Sequence, residues 1–505
     1  MDPDRYSDPR LQAVVCLSWL LIRQVLSQWM SLAHVLIATM TAMSSLRMKT
    51  FPFLLLLCFL SDASCLAVNP QGISKVISTK RDGGMSQTYS LLKAEGNSSK
   101  PSSELSFTKQ LQAGLRSTFL PSGYPTKTPP GYLSYASWSW IQDLSTQLRA
   151  VMATQRVLEG VGVGREGATA LSALMNFIVR DGCGMGATLL FTSVASSRFS
   201  SDIKRWRLFA DVMVDIGITL EVCATLVPTE LFLPMICVGN MCKAICGVAA
   251  GACGGAINLH WAKGSDISDI QAKFGAQHTV TGSLGLVFAA LFARTVSKLK
   301  PTPLWILYSS LTVLHIVANR ACMKLIAFDS LNTVRMNMIL SEFLSWWNTR
   351  ELDEKSMTSP AVLARTEPLF FLPGQNLVVA KIPIVFGASF NEIVAKCQCD
   401  VPTIAAQLSN SGYLVVPGKS KGVKPCILVA VQEDTSPSDQ AKAYLHATLL
   451  SQHMRQSTDG VAMETNALSE LNAAWPFFQA LCKSSGWDLT KTELRSQGYE
   501  ISCIA

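Results

Sequence analysis

Apolar segments follow one another from Phe107 to Asp329, separated by Gly, Pro and isolated charges. Two of them are long: TVTGSLGLVFAALFA, residues 279–293, which Arg294 follows directly, and PLWILYSSLTVLHIVA, residues 303–318. With flanking residues, each reaches the roughly 20 residues that the hydrocarbon core of a bilayer requires. This order of segments predicts a polytopic helical membrane domain and a chain that is mainly α-helical.

The overall composition agrees with a membrane location. Only 15% of the residues are charged and 49% are hydrophobic, whereas soluble chains carry about 25% charged residues. The net charge of +8 is modest for 505 residues, and Lys and Arg form no dense block interleaved with aromatic residues. We therefore predict membrane lipid as a partner and no nucleic-acid partner.

The cysteine pattern argues against a metal site. The fifteen cysteines include no CxxC pair, and Cys397 and Cys399 form a tight pair without the second pair that a zinc site needs. Four others lie in an apolar, Gly-rich run with no His or acid at ligand spacing: Cys237, Cys242, Cys246 and Cys253. These four are predicted to be small packing residues with reduced thiols.

The N-terminal region resembles a targeting segment. MKTFPFLLLLCFLSDASC, residues 48–65, has the layout of a cleaved signal peptide, but it starts at an internal methionine. Residues 1–47 are either an unused upstream extension or a first anchor built on residues 11–22 and 32–43. Residues 69–106 are rich in Ser, Thr and Lys. They are either a transit segment for import into a plastid or a disordered linker after an endomembrane signal.

Several enzyme signatures are excluded by their spacing. PGKSKG, residues 417–422, resembles a phosphate loop, but the first glycine of that loop would fall at Tyr413. GVGVG, residues 160–164, lacks the GxGxxG spacing of dinucleotide-binding folds. The chain also contains no GxSxG elbow and no HExxH pair. We therefore predict a protein that is not an enzyme.

Three cations and a tryptophan begin the segment KRWRLFADVMVDIGITLE, residues 204–221. Lys204, Arg205, Trp206 and Arg207 are predicted to lie at the membrane interface. There the indole would occupy the headgroup level and the cations would face anionic lipid or a partner.

The same segment carries acidic residues farther along the helix. Asp211 and Asp215 are four positions apart and share a helix face, whereas Glu221 points elsewhere. Two interpretations remain open for the pair. The acids form a structural ion pair with a cation such as Arg205 or Arg207, or they have a transport or catalytic role, as intramembrane acids often do.

A second polar pattern lies in DISDIQAKFGAQHT, residues 266–279. Asp269, Lys273 and Gln277 recur at four-residue spacing, which predicts a solvated helix face with an acid–lysine pair. His260, just upstream, is predicted to be a core histidine with its polar atoms satisfied.

A glycine pattern occurs in GVAAGACGG, where Gly247, Gly251 and Gly255 are spaced four apart. One face of this helix therefore has no side chains, and the backbone of a neighbour can approach it closely. We predict tight helix packing at this face without a ligand.

Six motifs resemble, in order, the blocks of a known family: FLPSGYP at Phe119, YLSYASWSWIQ at Tyr132, DGCGM at Asp181, KRWRLFADVMVD at Lys204, AKFGAQ at Ala272 and LNTVRMN at Leu331. Their order and spacing are similar to those of the ROOT UVB SENSITIVE family. The resemblance covers residues 107–340, and GWDL at Gly486 shows a weaker similarity to the closing block of the family. Residues 253–255, Phe274 and His278 depart from the family pattern.

The resemblance carries functional expectations. Plant members of this family are linked to root responses to ultraviolet-B light, vitamin B6 status, auxin transport and plastids, without an established activity. Together with the apolar segments, the Gly-lined face and the acids, it favours an integral membrane scaffold or transport-associated factor with a protein partner, such as another family member. The alternative is an enzyme or carrier for pyridoxal phosphate, whose cofactor lysine would be Lys204, Lys243 or Lys273. None of these lies in a phosphate-binding loop, so no cofactor is predicted.

The charge rises in the C-terminal portion, and the pattern changes. GYLVVP at Gly412 and CILVAVQ at Cys426 flank a Lys/Gly turn, as in a β-hairpin. Ser436, Pro437 and Asp439 form a helix start, a second helix covers residues 466–484, and GYEIS near the end is another candidate strand. We predict three regions: a targeting and disordered segment (1–106), a helical membrane domain (107–350) and an α+β domain (351–505) that binds a partner.

Overall fold

The computed structural model describes residues 75–78, 87–90, 107–163, 169–264, 266–296, 301–349, 357–369, 380, 382–397, 404, 408, 411–418, 425–454, 460–494 and 501. All of these belong to one compact unit, Ser74–Ala505. The signal peptide predicted at residues 48–65 and both alternatives for residues 1–47 lie outside the described residues, as does Cys399.

Two short strands lie in the N-terminal stretch that was predicted to lack order. β1 (Lys75–Ser78) pairs antiparallel with β2 (Gln87–Ser90), so that Val76 is opposite Tyr89. The β-branched and aromatic residues of these strands have high strand propensity, although the surrounding sequence has no apolar periodicity. The rest of the predicted targeting and disordered region, residues 1–106, lies outside the described residues.

Seven helices form the central part of the chain: α1 (Phe107–Phe119), α2 (Tyr132–Gly160), α3 (Ala170–Ala195), α4 (Ile203–Cys223), α5 (Thr229–Trp261), α6 (Ile267–Val296) and α7 (Pro301–Leu325). The mainly α-helical fold class predicted from the sequence is confirmed. In this part, α4 packs mainly on α5, while α2 packs on α7 and α6.

Three of these helices are long and apolar enough to cross a membrane: Thr229–Trp261, Ile267–Arg294 and Pro301–Leu325. The two spans predicted from the sequence lie inside the second and third of them. The first was not predicted as a span. At most 28% of each apolar window is buried inside the protein, so most of these side chains face outward, as they do in lipid-exposed helices.

The segment around RDGCGMG is continuous helix. In the structure α3 runs unbroken, and its first turn is capped by the Thr169 side chain, which accepts a hydrogen bond from the Ser172 backbone N–H.

The close backbone approach between helices occurs at Gly217 and Gly239, not at the predicted glycine face. A Cβ added to Gly217 would lie 2.6 Å from the Gly239 carbonyl oxygen, so α4 and α5 touch through their backbones. A Cβ added to the three predicted glycines, Gly247, Gly251 and Gly255, would meet nothing within 4 Å. The prediction of packing at that face is therefore wrong for the described part of the chain.

The C-terminal part combines helices with a small sheet. Its elements are α8 (Thr333–Thr349), α9 (Pro360–Thr366), β3 (Ile384–Phe386), α10 (Phe390–Cys397), β4 (Tyr413–Gly418), β5 (Cys426–Val431), α11 (Pro437–His453) and α12 (Gly460–Ser484). The strand order is β3-β5-β4, with β5 parallel to β3 and antiparallel to β4. The main core joins one sheet face to α8, α11 and α12, and it begins at Leu331.

Local predictions for this part are confirmed where the structure describes it. The β4–β5 pair is the predicted hairpin, and the Ser436 side chain caps α11 by accepting a hydrogen bond from the Asp439 N–H at 3.1 Å. The second predicted helix lies within α12. Of GYEIS, the described residue Ile501 forms an isolated parallel bridge with Gln432.

Candidate functional site

Arg149, Asp215 and His315 meet in the interior of the helical part, where α2, α4 and α7 pack together. The Arg149 Nη1 atom lies 2.5 Å from Asp215 Oδ1, and His315 Nδ1 lies 3.1 Å from Asp215 Oδ2. Arg149 has no exposed surface, and His315 is 1% exposed. The Asp215 carboxylate therefore contacts a buried guanidinium and a buried imidazole at the same time.

One turn earlier on α4, Asp211 forms the second half of the site. Arg207 Nη1 donates to its Oδ1 atom at 2.5 Å, and Gln142 Nε2 donates to Oδ2 at 2.9 Å. The Asn319 side-chain amide also donates to Oδ2. We call the eight side chains of these two halves the buried charged cluster: Gln142, Arg149, Arg207, Asp211, Asp215, Thr312, His315 and Asn319.

The cluster forms because each helix brings polar residues to its buried face at helical spacing. Asp211 and Asp215 are four apart on α4, as predicted, and His315 and Asn319 are four apart on α7. Arg149 lies on the buried face of α2. The Arg149 guanidinium reaches Asp215 and also lies 3.5 Å from the Thr312 hydroxyl.

Two polar atoms of the cluster are buried without a hydrogen-bond partner: Arg149 Nη2 and Asn319 Oδ1. One is a donor and the other is an acceptor. Buried polar atoms of this kind are uncommon in proteins because each costs about 1–3 kcal/mol. These two atoms leave one hydrogen-bond donor and one acceptor available to a polar group inside the cluster.

Asp211 contacts Arg207, one of the two cations that the sequence suggested as its partner. Arg205 instead lies 3.9 Å from Asp202. The partner of Asp215 is Arg149, a residue that the sequence did not single out. Glu221 points elsewhere, as expected, and pairs with Lys243 of α5.

The interface prediction for Lys204 is wrong. Its Nζ atom lies 2.6 Å from Glu367 Oε2, and Arg335 Nε lies 3.1 Å from Glu367 Oε1. Lys204 is 2% exposed and Glu367 5% exposed, so this cation faces the protein and not lipid. The charge of Lys204 is directed inward because the segment after α9 places a carboxylate directly against it.

Burial raises the pKa of Glu367, but the positive charges of Arg335 and Lys204 more than offset this effect. Its pKa therefore lies below the ordinary value, and the carboxylate stays ionised. This three-residue junction joins the first turn of α4 to α8 and to the C-terminal part.

Trp206 is half-buried in an aromatic cluster, so its indole ring is not free to lie among lipid headgroups. Its indole N–H donates to the Arg198 carbonyl oxygen at 2.7 Å, and its ring packs edge-on against Phe199 and Phe209. These contacts fix the entry of the chain into α4.

Asp269, Lys273 and Gln277 do not form a solvated face, although the predicted acid–lysine pair of Asp269 and Lys273 is present at 3.3 Å. Asp269 accepts a hydrogen bond from the Ser122 N–H at 2.7 Å, and Lys273 donates to the Ser117 carbonyl at 2.5 Å. Gln277 is buried and donates to the Phe119 carbonyl at 2.7 Å. The three residues clamp the end of α1 and the following loop onto α6. The sequence could not show this because the partners are backbone atoms about 150 positions away.

His260 lies in the core, as predicted, but its polar atoms are not all satisfied. It packs edge-on between the rings of Trp261 and Phe328, and its Nδ1 atom has no hydrogen-bond partner. The surrounding rings are apolar and leave this nitrogen without a donor or acceptor.

The three lysines considered for pyridoxal phosphate are all engaged. Lys204 pairs with Glu367, Lys243 with Glu221, and Lys273 with Asp269 and a backbone carbonyl. A Schiff base at any of them would require breaking a salt bridge. In the part of the chain that the structure describes, no group of three or more His, Cys, Asp and Glu side chains could hold a metal ion.

Sequence reasoning missed Arg149, His315 and Asn319. A usable signal exists for two of them, since His315 and Asn319 share one face of a candidate span. Polar residues on one face of an apolar span indicate a site in the bundle interior. Arg149 is the cation on the buried stripe of α2, which also carries Gln142 and Ser145.

Two family models match the chain in sequence. The first, described as a vitamin B6 photo-protection and homoeostasis domain, matches residues 106–346. The second, described as the C-terminal part of root UVB sensitive proteins, matches residues 356–499. The chain belongs to the root UVB sensitive family. This confirms the resemblance inferred from the six motifs.

Individual relatives agree with this assignment. Protein root UVB sensitive 3 of Arabidopsis thaliana is 29% identical over 67% of this chain and 76% of its own length. RUS family member 1 of Dictyostelium discoideum is 30% identical over 50% of the chain and 47% of its length. Protein root UVB sensitive 2, chloroplastic, of Arabidopsis thaliana is 33% identical over 45% of the chain and 51% of its length. No solved structure matches the chain.

Proposed function

We propose that this root UVB sensitive protein is a non-enzymatic integral membrane protein that acts as a transport-associated factor. In this proposal the buried charged cluster is an internal polar site of the helical bundle. The single observation that carries the proposal is the meeting of the buried Arg149 and Asp215 with His315, which lies in the candidate span Pro301–Leu325.

Depth supports this interpretation. The candidate span Pro301–Leu325 has its midpoint at residue 313, so His315 lies about 3 Å along the helix axis from that level. Ionisable side chains are costly near the centre of a bilayer, and they usually mark solute or proton pathways. The two unpartnered atoms, Arg149 Nη2 and Asn319 Oδ1, offer a donor and an acceptor to a polar solute or a water molecule in transit.

Carbonate extraction of membranes from expressing cells tests the membrane part of the proposal. An integral protein stays in the pellet at alkaline pH, because its spans remain in the hydrocarbon core. Release of the full chain into the supernatant would contradict integral insertion.

A His315→Asn substitution tests the role of the cluster. Asparagine can place an amide donor near the position of Nδ1, so contact with Asp215 is retained while proton exchange is lost. We expect normal accumulation and failed complementation of a mutant that lacks a family member. The matched control is His278→Asn, because His278 also pairs with an aspartate, Asp143, at 3.2 Å, but is 69% exposed. Full complementation by His315→Asn would exclude a transport site and leave a scaffold.

We further propose that the N-terminal region directs the chain to a plastid membrane. The support is the signal-like stretch at Met48, the segment rich in Ser, Thr and Lys after it, and the word chloroplastic in the name of one relative. Residues 1–106 and 48–106, each fused to a fluorescent protein, should both reach plastids if Met48 is the start in use. Endomembrane fluorescence from both fusions would contradict plastid import.

A further inference from the structure

Two cysteine side chains from different helices meet inside the helical part. Cys183 lies on α3 and Cys237 lies on α5, and their thiols are hydrogen-bonded to each other. Both cysteines are free thiols in the structure. They are far apart in the sequence, so the packing of α3 on α5 is what brings them together. We call Cys183 and Cys237 the thiol pair.

The thiol pair lies where α3 and α5 approach each other closely. The Asn240 side-chain amide, one turn after Cys237, donates to the Arg180 carbonyl oxygen of α3 at 3.1 Å. A Cβ added to Gly184, the neighbour of Cys183, would lie 2.5 Å from Asn240 Nδ2. A disulfide forms only where two Cα atoms come within about 4.4–6.8 Å of each other. The missing side chain at Gly184 allows the two helices to approach in this way.

Apolar contacts on both sides of the thiol pair hold the two helices together. Before the pair, Phe177 of α3 packs against the cluster that contains Phe232 and Ile236 of α5. After the pair, Phe191 of α3 packs against the cluster that contains Ala249 of α5. The two sulfur atoms are therefore kept near each other by packing that does not depend on the cysteines themselves. These contacts are internal to the protein, so the thiol pair does not require the membrane insertion proposed above.

The two thiols differ in access from outside. Cys183 is partly exposed, whereas Cys237 is buried and only 7% exposed. A small oxidant therefore reaches Cys183 first. An accessible cysteine beside a second cysteine is the arrangement in which the first is oxidised and the second completes a disulfide.

We propose that the thiol pair is a site of reversible oxidation by hydrogen peroxide, which fastens α3 to α5 through a disulfide. The Cys183 sulfur attacks one peroxide oxygen, the O–O bond breaks, and the leaving hydroxide takes the thiol proton to form water. Cys183 is then a sulfenic acid. The Cys237 sulfur attacks the Cys183 sulfur, so that the S–S bond forms and the S–O bond breaks. The second hydroxide takes the Cys237 proton and leaves as water. Two electrons pass from the sulfur atoms to peroxide, and a dithiol reductant reverses the reaction by exchange.

Peptide mapping of the full chain tests the proposal. The expressed chain is treated with hydrogen peroxide, the remaining thiols are blocked by alkylation, and the chain is digested with trypsin. Cleavage after Lys and Arg leaves Cys183 as the single cysteine of residues 181–198, and it leaves Cys237 within residues 208–243. Peroxide should link these two peptides, and dithiothreitol should separate them. Cys183 recovered without a link to residues 208–243 after peroxide treatment would overturn the proposal.

A matched pair of variants identifies the partner of Cys183, because residues 208–243 also contain Cys223 and Cys242. Cys242 is as buried as Cys237, 8% against 7% exposed. It faces α4 instead, since its Cβ lies 3.3 Å from a Cβ added to Gly217. Cys237→Ala should abolish the linked peptides, whereas Cys242→Ala should leave them unchanged. Linked peptides that survive in Cys237→Ala, or that disappear in Cys242→Ala, would overturn the assignment.

A change at the more exposed partner separates loss of the disulfide from loss of the fold. Cys183→Ala alters a partly exposed side chain, so the variant should accumulate normally. The oxidised natural chain should unfold at a higher temperature than the reduced chain, because a disulfide restricts the unfolded state. This shift should be absent in Cys183→Ala. Equal unfolding temperatures for the oxidised and reduced chains, or an equal shift in Cys183→Ala, would overturn the proposal that the disulfide fastens α3 to α5.

Discussion

Arg149 and Asp215 lie 66 positions apart in the sequence, and they form an ion pair at 2.5 Å in which the arginine has no exposed surface. Burying two charges costs several kcal/mol per ion, and the pair offsets this cost only while both partners remain. His315 shares the same carboxylate. The pair therefore makes the packing of α2 against α4 and α7 depend on charge neutrality.

Removing one partner of this pair should lower the free energy of unfolding more than removing both. Asp215→Asn or Arg149→Met alone leaves a partner unpaired in the interior, with an expected loss of about 3–5 kcal/mol in the free energy of unfolding. The double variant leaves no buried charge at this position and should recover a large part of that loss. Thermal unfolding of the detergent-purified protein, together with accumulation in cells, measures the difference.

The matched control for that cycle lies on α2. Arg156 and Glu159 form a partly exposed pair at 2.9 Å, and Arg156→Met or Glu159→Gln should change stability by less than about 1 kcal/mol. A double variant of Arg149 and Asp215 as unstable as the worse single variant would show that the pair does not act as a neutral unit.

Acid should weaken the junction at Glu367. Its folded pKa lies below the ordinary value of 4.5, so the unfolded chain binds a proton first as the pH falls. The stability that this carboxylate contributes is fully present well above pH 4.5, and it is lost as the pH falls from there through the folded pKa. Thermal unfolding between pH 7 and pH 3 should show this loss, and Glu367→Gln should flatten the dependence.

Glu367→Gln also lowers stability at neutral pH, because Lys204 and Arg335 then share no carboxylate. Glu392→Gln is the control, since Glu392 pairs with Lys396 at a partly exposed site on α10. An unchanged pH dependence in Glu367→Gln would contradict the role assigned to this junction.

Local sequence patterns predicted the helices and strands well. They predicted poorly which side chains contact one another. The helix start at Ser436 and the β4–β5 hairpin depend on neighbouring residues, and both are present. The shared face of Asp211 and Asp215 follows from helical periodicity alone. In contrast, the Arg149 partner of Asp215 and the Glu367 partner of Lys204 come from distant segments, and no local pattern encodes such contacts.

The glycine prediction failed for a related reason. Spacing by four identifies a face without side chains, but not what lies opposite that face. Gly217 and Gly239, neither of which belongs to a four-residue glycine repeat, meet because α4 packs on α5. No local sequence pattern links these two glycines. Similarly, α8 precedes residue 350 in the chain, but its apolar side chains belong to the C-terminal core.

The clamp at Gln277 should hold α1 and the loop after it. Gln277→Ala removes the hydrogen bonds to the Phe119 carbonyl at 2.7 Å and to the Tyr132 hydroxyl at 3.2 Å. The expected cost is about 1–3 kcal/mol, because a partly buried carbonyl loses its donor. Hydrogen exchange of residues 111–125 should become faster. Gln271→Ala, on the exposed face of the same helix, should leave that exchange rate unchanged. Equal rates in the two variants would exclude the clamp.

The contact between Gly217 and Gly239 gives a sharp test of how α4 packs on α5. An added Cβ at Gly217 would lie 2.6 Å from the Gly239 carbonyl oxygen, and that atom is backbone and cannot rotate away. Gly217→Ala should therefore push the two helices apart, and overpacking of this kind typically costs about 1–3 kcal/mol.

Gly251→Ala is the matched control on α5, because its Cβ would meet nothing within 4 Å. Alanine has the higher helix propensity, so this variant should be neutral or more stable by roughly 0.5–1 kcal/mol. Thermal unfolding of both variants in the same detergent measures the contrast. If Gly217→Ala unfolds at the same temperature as Gly251→Ala, the backbone contact between α4 and α5 does not exist in the folded protein.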